Sequence, residues 1–309
     1  MIFLLLALSL PGLFWDNGPE TANTVKEGHF ARIFVPSSLK QAWQGVSAVS
    51  VQTVDINTLA KVPAPGVQYR INEASATSAP WVDSNGWRYL RNGSQKFLTH
   101  AVGRSSVLAA AEAYTFGAEM LVQTDTAGLA PLGKMLEFLN RLPEASYSRR
   151  ANFDFADDGS QASAEFMNLL IRRNLLFRLV PPSGPSSPGA VALGTPDFPK
   201  SEIGNPSLLA EKVRAKIGDG KRLIRIYGSE IVIGQLLETN GGLRLLLLNY
   251  DVRHSVEGIR IRLLGEYRNH HVASFDSPSA ELLDYAVQNG ATEFTIPLLK
   301  TFAVVDFTS

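Results

Sequence analysis

The sequence predicts an α/β protein in three regions: a βα-repeat front domain, an α/β middle domain and a small β domain at the C-terminus. Short apolar runs alternate with helical stretches in the first half of the 309 residues, the same alternation restarts after residue 150, and closely spaced β runs follow residue 221. Alternating strands and helices indicate a parallel sheet covered by helices, whereas short strands joined by turns indicate an antiparallel sandwich.

The front domain is predicted to span residues 12–145. A complete eight-stranded barrel typically needs about 250 residues, roughly twice this length. The domain is therefore expected to be a partial TIM-like barrel or an open doubly wound sheet. Its predicted strands are 12–16, 31–36, 48–55, 67–74, 96–102 and 119–125, and its predicted helices are 19–28, 38–45, 107–118 and 129–143.

The middle domain is predicted at residues 150–220 and the C-terminal domain at 221–309. The middle domain begins with a strand at 152–160, an amphipathic helix at 163–174 and another strand at 175–180, which is a flavodoxin-like βαβ pattern. After Lys221, β runs separated by Gly, Asn and Asp follow one another without a helix of convincing length. This pattern predicts a small antiparallel β-sandwich.

Composition restricts the function classes. Basic and acidic residues balance at 29 each, which gives no electrostatic reason to expect nucleic acid and favours a neutral substrate. The chain has no cysteine, which excludes thiol nucleophiles, disulfides and cysteine-ligated zinc. With five histidines and no H-E-x-x-H spacing, we expect no metal site and no cofactor.

The N-terminal run MIFLLLALSLPG is apolar, of signal-peptide length and too short to span a bilayer. We interpret residues 1–11 as the signal peptide of a secreted or periplasmic bacterial protein, although a basic start and an A-x-A cleavage site are missing. A buried first strand is the alternative interpretation. No other segment approaches about 18 uninterrupted apolar residues, so no membrane span is expected after removal of the signal.

Carboxylates follow several of the predicted strands: Asp16, Asp55, Glu73 and Asp125. The carboxyl ends of parallel strands share one face, and ligands bind there. Glycoside hydrolysis needs two carboxyl groups that flank the scissile bond, and two of these four residues could supply them. The alternative for each aspartate is to cap the helix that follows it.

The segment 79–91, APWVDSNGWRYLR, combines aromatic and polar residues at short spacing. Trp81 and Trp87 enclose Asp83 and Asn85. Flat aromatic faces with a few placed polar groups suit a neutral sugar. The alternative is a hairpin that turns at Asp-Ser-Asn-Gly with its tryptophans packed inward.

The order of the three regions resembles that of bacterial beta-galactosidases and their relatives, in which a barrel precedes a glutamine-amidotransferase-like domain and a small β domain. LRLLLLNYD and the closing TEFTIPLLKTFAVVDF are similar to the end of those β domains. Asn72-Glu73 resembles the pair that supplies the general acid in retaining barrel glycosidases. The resemblance implies a middle domain that is structural or oligomer-forming, because it lacks a cysteine nucleophile.

The resulting hypothesis is a glycoside hydrolase acting on neutral sugars, with beta-galactosides as the implied substrates. The main alternative is a non-catalytic carbohydrate-binding or assembly protein with a degenerate glycosidase architecture, because the front domain is half a barrel long. An esterase-type serine hydrolase is a third option, and the linkage and a homo-oligomeric state stay open. The predicted site comprises Glu73 as acid/base, Asp125 or Asp16 as the second carboxylate, and Trp15, Asn17, Trp81, Asp83, Asn85 and Trp87 as sugar-binding residues.

Overall fold

A computed structural model of the chain describes residues 8–69, 80–143, 148–181, 190–239, 241–277 and 281–308. Up to residue 143 its strands are β1 (Gly12–Phe14), β2 (Arg32–Pro36), β3 (Ser50–Val54), β4 (Ala60–Val62), β5 (Gly66–Tyr69), β6 (Pro80–Asp83), β7 (Lys96–His100) and β8 (Glu119–Gln123). Its helices in the same part are α1 (Ala22–Glu27), α2 (Gly86–Arg91), α3 (Ser105–Phe116) and α4 (Thr126–Arg141).

Beyond residue 148 the strands outnumber the helices. The helices are α5 (Gln161–Arg172) and α6 (Pro206–Ile217). The strands are β9 (Ser148–Arg149), β10 (Phe153–Ala156), β11 (Phe177–Val180), β12 (Val191–Ala192), β13 (Ile224–Tyr227), β14 (Val232–Thr239), β15 (Gly242–Asn249), β16 (Val256–Leu264), β17 (Asn269–Ser274), β18 (Leu283–Gln288), β19 (Ala291–Leu299) and β20 (Phe302–Thr308). The mixed α/β class predicted from the sequence is thereby confirmed.

The chain divides into two compact units. The front unit contains Ala7–Gly66 and Asn92–Glu144, and the C-terminal unit contains Val67–Arg91 and Ala145–Ser309. The division near residue 145 coincides with the end predicted for the front domain. The segment Val67–Arg91, with α2 and most of the β5–β6 pair, belongs to the C-terminal unit although the sequence pattern placed it in the front domain.

The front unit is built on a six-stranded sheet in the order β3-β2-β1-β8-β7-β4. Every pair in this sheet is parallel. The first strand of the unit, β1, therefore lies between β2 and the last strand, β8. The carboxyl ends of all six strands point to the same edge of the sheet.

One face of this sheet is covered by helices. Ile33 and Val35 of β2, with Met120 and Val122 of β8, are buried on this face. Helix α3 contacts both β8 and α4, which explains why almost every one of its residues is buried, including the polar ones. Gly117, in the left-handed conformation at φ 65°, ends α3 and turns the chain into β8.

The opposite face of the sheet carries a smaller apolar cluster. Phe14, Leu59 and Leu98 are buried there. Leu59 belongs to the short connection between β3 and β4, so the cluster reaches from the sheet into the loops at its carboxyl edge. The partly buried side chains packed against it are Phe34, Val54, Ile56 and Leu121.

The C-terminal unit contains a three-stranded parallel sheet with β10 between β11 and β12. Helix α5 follows β10 and contacts both α2 and α6. The amphipathic segment predicted at 163–174 corresponds to α5, whose N-cap Ser160 accepts a hydrogen bond from the backbone N–H of Ser163 at 3.1 Å.

Two antiparallel sheets make up the rest of the C-terminal unit. Their strand orders are β13-β16-β19-β18 and β17-β20-β15-β14-β9. Ile261 and Phe294 from the first sheet share one buried core with Leu245, Leu247 and Val305 from the second. The alternation of these residues along their strands matches the two-residue period of a sheet with one buried face.

The structure corrects two predicted elements of the front domain. The fourth strand of the parallel sheet is β4, not residues 67–74, and β5 instead joins β6 in a separate two-stranded sheet. The segment 38–45, predicted as a helix, forms a single 3₁₀ turn at Ser37–Leu39 followed by turns. The buried indole of Trp43, which donates to the carbonyl of Asn17 at 3.1 Å, anchors this segment instead.

No helix in the described ranges is long and apolar enough to cross a membrane.

Helix α4 approaches the chain at Gly28 so closely that a Cβ on Gly133 would overlap the Gly28 carbonyl oxygen. Replacing glycine by alanine inside a helix usually gains about 1 kcal/mol. We nevertheless expect Gly133→Ala to lower the free energy of unfolding by about 1–3 kcal/mol, because overpacking forces the backbone apart. Urea unfolding would measure the change. Gly66→Ala, which adds a methyl group in open space, is the control, and equal stability of the two variants would contradict the close packing.

Candidate functional site

A cavity of about 640 Å³ lies at the carboxyl edge of the front unit's parallel sheet. Each of the six strands contributes to its wall, either directly or through the residues that follow. Parallel α/β sheets bind ligands at this edge, and the volume lies in the usual range for small-molecule sites. The polar or loop residues that represent the strands in the wall are Asp16, Ser38, Ile56, Lys61, His100 and Gln123.

Strand register places the central polar residues on one face of the sheet. Phe14 of β1 pairs with Gln123 of β8, which pairs with His100 of β7. Paired residues of neighbouring strands point to the same side. Lys61 of β4 pairs with Leu98, two residues before His100, so Lys61 also points to this side. The face that carries the small apolar cluster therefore ends in a polar rim.

Asp16 is the carboxylate of this rim. It follows β1 directly, is exposed, and accepts a hydrogen bond from Gln123 Nε2 at 2.7 Å. The sequence-predicted carboxylate is thus placed in the cavity by a residue 107 positions away, and its other oxygen, Oδ1, has no printed bond partner competing for it among the described residues.

Two buried tryptophans fix the loop that carries Asp16. Trp15 is 2% exposed, and its Nε1 donates to Thr21 Oγ1 at 2.8 Å. Trp43 donates to the carbonyl oxygen of Asn17, as described above. Since the ring of Trp15 is packed inside the unit, its surface is not available for stacking on a sugar; Trp15 and Asn17 position Asp16 in this structure.

Asp125 follows β8 but is not part of the cavity wall. Its Oδ1 accepts the backbone N–H groups of Gly103 and Gly128, each at 2.9 Å. These hydrogen bonds, with that of Gly103 the stronger influence, lower the pKa of Asp125 below its ordinary value. Asp125 is the N-cap of α4, which is the alternative role considered for this residue.

The tryptophan-rich segment belongs to the C-terminal unit. Trp81 lies in β6 and Trp87 in α2, so Asp83–Gly86 leads into a helix and is not a hairpin turn. The guanidinium of Arg172 lies 3.4 Å from the ring centre of Trp81, and that of Arg88 lies 4.3 Å from the ring centre of Trp87. One face of each ring is therefore occupied by a cation–π contact.

The polar residues of that segment make local contacts. Asp83 Oδ2 accepts a hydrogen bond from Gln68 Nε2 at 3.3 Å. Asn85 is buried, and its Oδ1 accepts one from Arg88 at 3.0 Å. The predicted site residues are thus divided between the units: Trp15, Asp16, Asn17 and Asp125 lie in the front unit, and Trp81, Asp83, Asn85 and Trp87 lie in the C-terminal unit. Glu73 lies outside the described residues.

The sequence interpretation missed Lys61, His100 and Gln123. The signal for His100 and Gln123 was present, because each ends a correctly predicted strand just as Phe14 ends β1 before Asp16. Lys61 was missed because the fourth strand was assigned to residues 67–74. No group of three or more histidines and carboxylates suited to a metal ion occurs in the parts of the chain that the structure describes.

A second polar cluster surrounds Asp251 in the C-terminal unit. Asp251 is buried and accepts hydrogen bonds from Tyr69 Oη at 2.8 Å and from the backbone N–H of Arg253 at 2.9 Å, while its Oδ2 lies 3.0 Å from His254 Nδ1. Burial raises the pKa of Asp251, but these hydrogen bonds outweigh it and lower the pKa to about 2. The hydrogen bond to Asp251 raises the pKa of Tyr69.

No family model and no curated relative matches the chain. Among solved structures, alpha-L-fucosidase isoenzyme 2 from Paenibacillus thiaminolyticus is similar with a TM-score of 0.53 and 10% identity, over 72% of this chain and 62% of the fucosidase. The fold is similar to that of a glycoside hydrolase. This chain spans less than two thirds of the fucosidase's length.

Two further glycoside-hydrolase structures have lower scores, which do not indicate a shared overall fold. A rhamnosidase from Novosphingobium sp. PP1Y has a TM-score of 0.39 and 9% identity, over 84% of this chain and 37% of its own. A maltogenic alpha-amylase from Thermotoga neapolitana has a TM-score of 0.29 and 10% identity, over 97% of this chain and 99% of its own.

Asp125→Ala removes the acceptor for two backbone N–H groups, and we expect it to lower the free energy of unfolding by about 1–2 kcal/mol. Asp125→Asn, which keeps an acceptor oxygen, should cost less. Because the folded-state pKa lies below the unfolded value, the carboxylate's contribution is complete above about pH 4 and is lost as the pH falls further. Urea unfolding at pH 7 would measure both variants, and an alanine variant as stable as wild type would refute the capping role.

Asp251→Asn tests the second cluster. The folded-state pKa of about 2 lies below the unfolded value of about 3.9, so the carboxylate stabilises the fold fully above pH 4 and loses this effect between about pH 4 and pH 2. We expect a loss on the order of 2 kcal/mol at pH 7 that shrinks as the pH approaches 3. Urea unfolding of wild type and variant at several pH values would measure it, and a pH-independent difference would contradict the assignment.

Proposed function

We propose that the chain is a glycoside hydrolase whose sugar site is the cavity at the carboxyl edge of the front unit. The observation that carries the proposal is the convergence of all six parallel strands on one cavity that contains a positioned carboxylate, Asp16. A cavity at this edge is where barrels and related parallel folds place their chemistry. The similarity of fold to the alpha-L-fucosidase supports the same class.

The strand order supports a partial barrel in the front unit. In a closed barrel every strand neighbours the strands before and after it in the chain, and the last neighbours the first. The front unit follows this rule everywhere except between β3 and β4, which are its two edges. A doubly wound sheet would instead place the fourth strand of the unit beside β1. We therefore interpret the sheet as six strands of an incomplete barrel.

Asp16 is the proposed reacting carboxylate. It is exposed to the cavity, and Gln123 orients it by a hydrogen bond that favours the ionised form. Glycoside hydrolysis also needs a second carboxyl group that protonates the leaving oxygen. Of the described residues in the cavity wall, Asp16 is the one carboxylate. Glu73, which the sequence resemblance pairs with Asn72, is the proposed acid/base.

The substrate proposal begins with two sugars. Beta-galactosides are implied by the resemblance of the regions to beta-galactosidases, and alpha-L-fucosides by the name of the similar structure. A secreted or periplasmic location, proposed from the apolar residues 1–11, suits a protein that acts on environmental carbohydrate.

Asp16→Asn tests the proposed reacting group. We expect hydrolysis of nitrophenyl glycosides, measured over a panel that includes the galactoside and the fucoside, to fall by about 10³-fold, because the amide cannot supply the negative charge. Asp55→Asn is the matched control: Asp55 follows β3, is exposed and accepts the N–H of Asn57 at 3.0 Å, a role an amide can keep. Full activity in Asp16→Asn would remove Asp16 from the mechanism, and full activity in Glu73→Gln would remove Glu73.

The second candidate is a non-catalytic carbohydrate-binding protein. The single carboxylate among the described residues of the cavity wall favours it, since hydrolysis needs two. A wild-type protein that binds sugars in solution but hydrolyses none of the panel would decide for this candidate.

A further inference from the structure

Two basic side chains of the cavity have no use in the proposed hydrolysis. Lys61 and His100 both line the cavity and are exposed. Within the described residues neither has a hydrogen-bond or ion-pair partner. By contrast Lys96, at the amino end of the strand that carries His100, pairs with Glu119 at 2.6 Å. An unpaired ammonium group in a ligand cavity is suited to bind an anionic group of the ligand.

The register places these two groups side by side. Lys61 lies on β4 and His100 on the adjacent β7, offset by two residues on the same face. Such diagonal neighbours are about 7–8 Å apart at their backbones, which lets a lysine and a histidine reach one anion. Gln123 lies on β8, on the other side of His100, and holds Asp16. The cavity thus has an acidic end at β1 and β8 and a basic end at β7 and β4.

We propose that the cavity takes a sugar that carries an anionic group, a carboxylate as in a hexuronic acid or a sulfate ester. The anionic group lies between Lys61 and His100, and the rest of the ring lies toward Gln123 and Asp16. Strands β8 and β4 are two strand spacings apart, about 10 Å, which accommodates one pyranose ring with a hydrogen bond of about 3 Å at each end. The inference rests on the proposed sugar site.

The experiment measures the binding of single sugars to the full chain by calorimetry. Glucuronate and galacturonate are compared with glucose and galactose, and galactose 6-sulfate serves as the sulfate arm. We expect at least one of the two anionic classes to bind about tenfold or more tightly than its neutral counterpart. Lys61→Gln should remove most of that preference, since a tenfold change corresponds to the loss of one charge-assisted contact.

The matched control is Lys96→Gln, which removes the same charge at the opposite end of the sheet and should leave the preference unchanged. His100→Gln is a second variant that should weaken binding of the anionic sugar without affecting the neutral one. Neutral sugars that bind as tightly as anionic ones, with Lys61→Gln unchanged, would overturn the inference and leave the sugar site intact. Absence of binding by every sugar would overturn the sugar site as well.

Discussion

The position of β1 between β2 and β8 is the constraint on which the front unit depends. Because all strands of this sheet run in the same direction, their carboxyl ends meet at one edge, and residues distant in sequence become neighbours there. Asp16 and Gln123 are 107 residues apart and form a 2.7 Å hydrogen bond. Neither the cavity nor its polar rim would exist if the last strand of the unit lay at an edge of the sheet.

Tryptophan has a structural role in this protein wherever the structure describes it in detail. A buried indole N–H needs an acceptor, and Trp15 and Trp43 find theirs in the loops around Asp16. These two contacts tie the loop after β1 to its surroundings and so give the carboxylate a fixed location. The rings of Trp81 and Trp87 are covered on one face by arginine. The wall of the cavity is instead made of aliphatic, phenylalanine and polar side chains.

The charge of the whole chain is a poor guide to the charge of its cavity. Equal numbers of acidic and basic residues predict a neutral substrate only if the charges are evenly distributed. In the front unit, the strand register separates Asp16 from Lys61 and His100, and Lys96 and Glu119 neutralise each other at the other end of the sheet. The electrostatic character of a site follows from such pairings, which composition does not record.

The sequence by itself determined the α/β class, most of the strands and helices, and the exclusion of thiol chemistry, because hydrophobic period, caps and residue counts are local properties. It also placed Asp16 at the end of a strand and offered capping as a role for Asp125. Only the tertiary structure decided which strands are neighbours, and hence that β4 is Ala60–Val62 and that Lys61, His100 and Gln123 face the same cavity as Asp16. Strand pairing is set by partners far along the chain, and a three-residue strand such as β4 carries too little local pattern to reveal its partner.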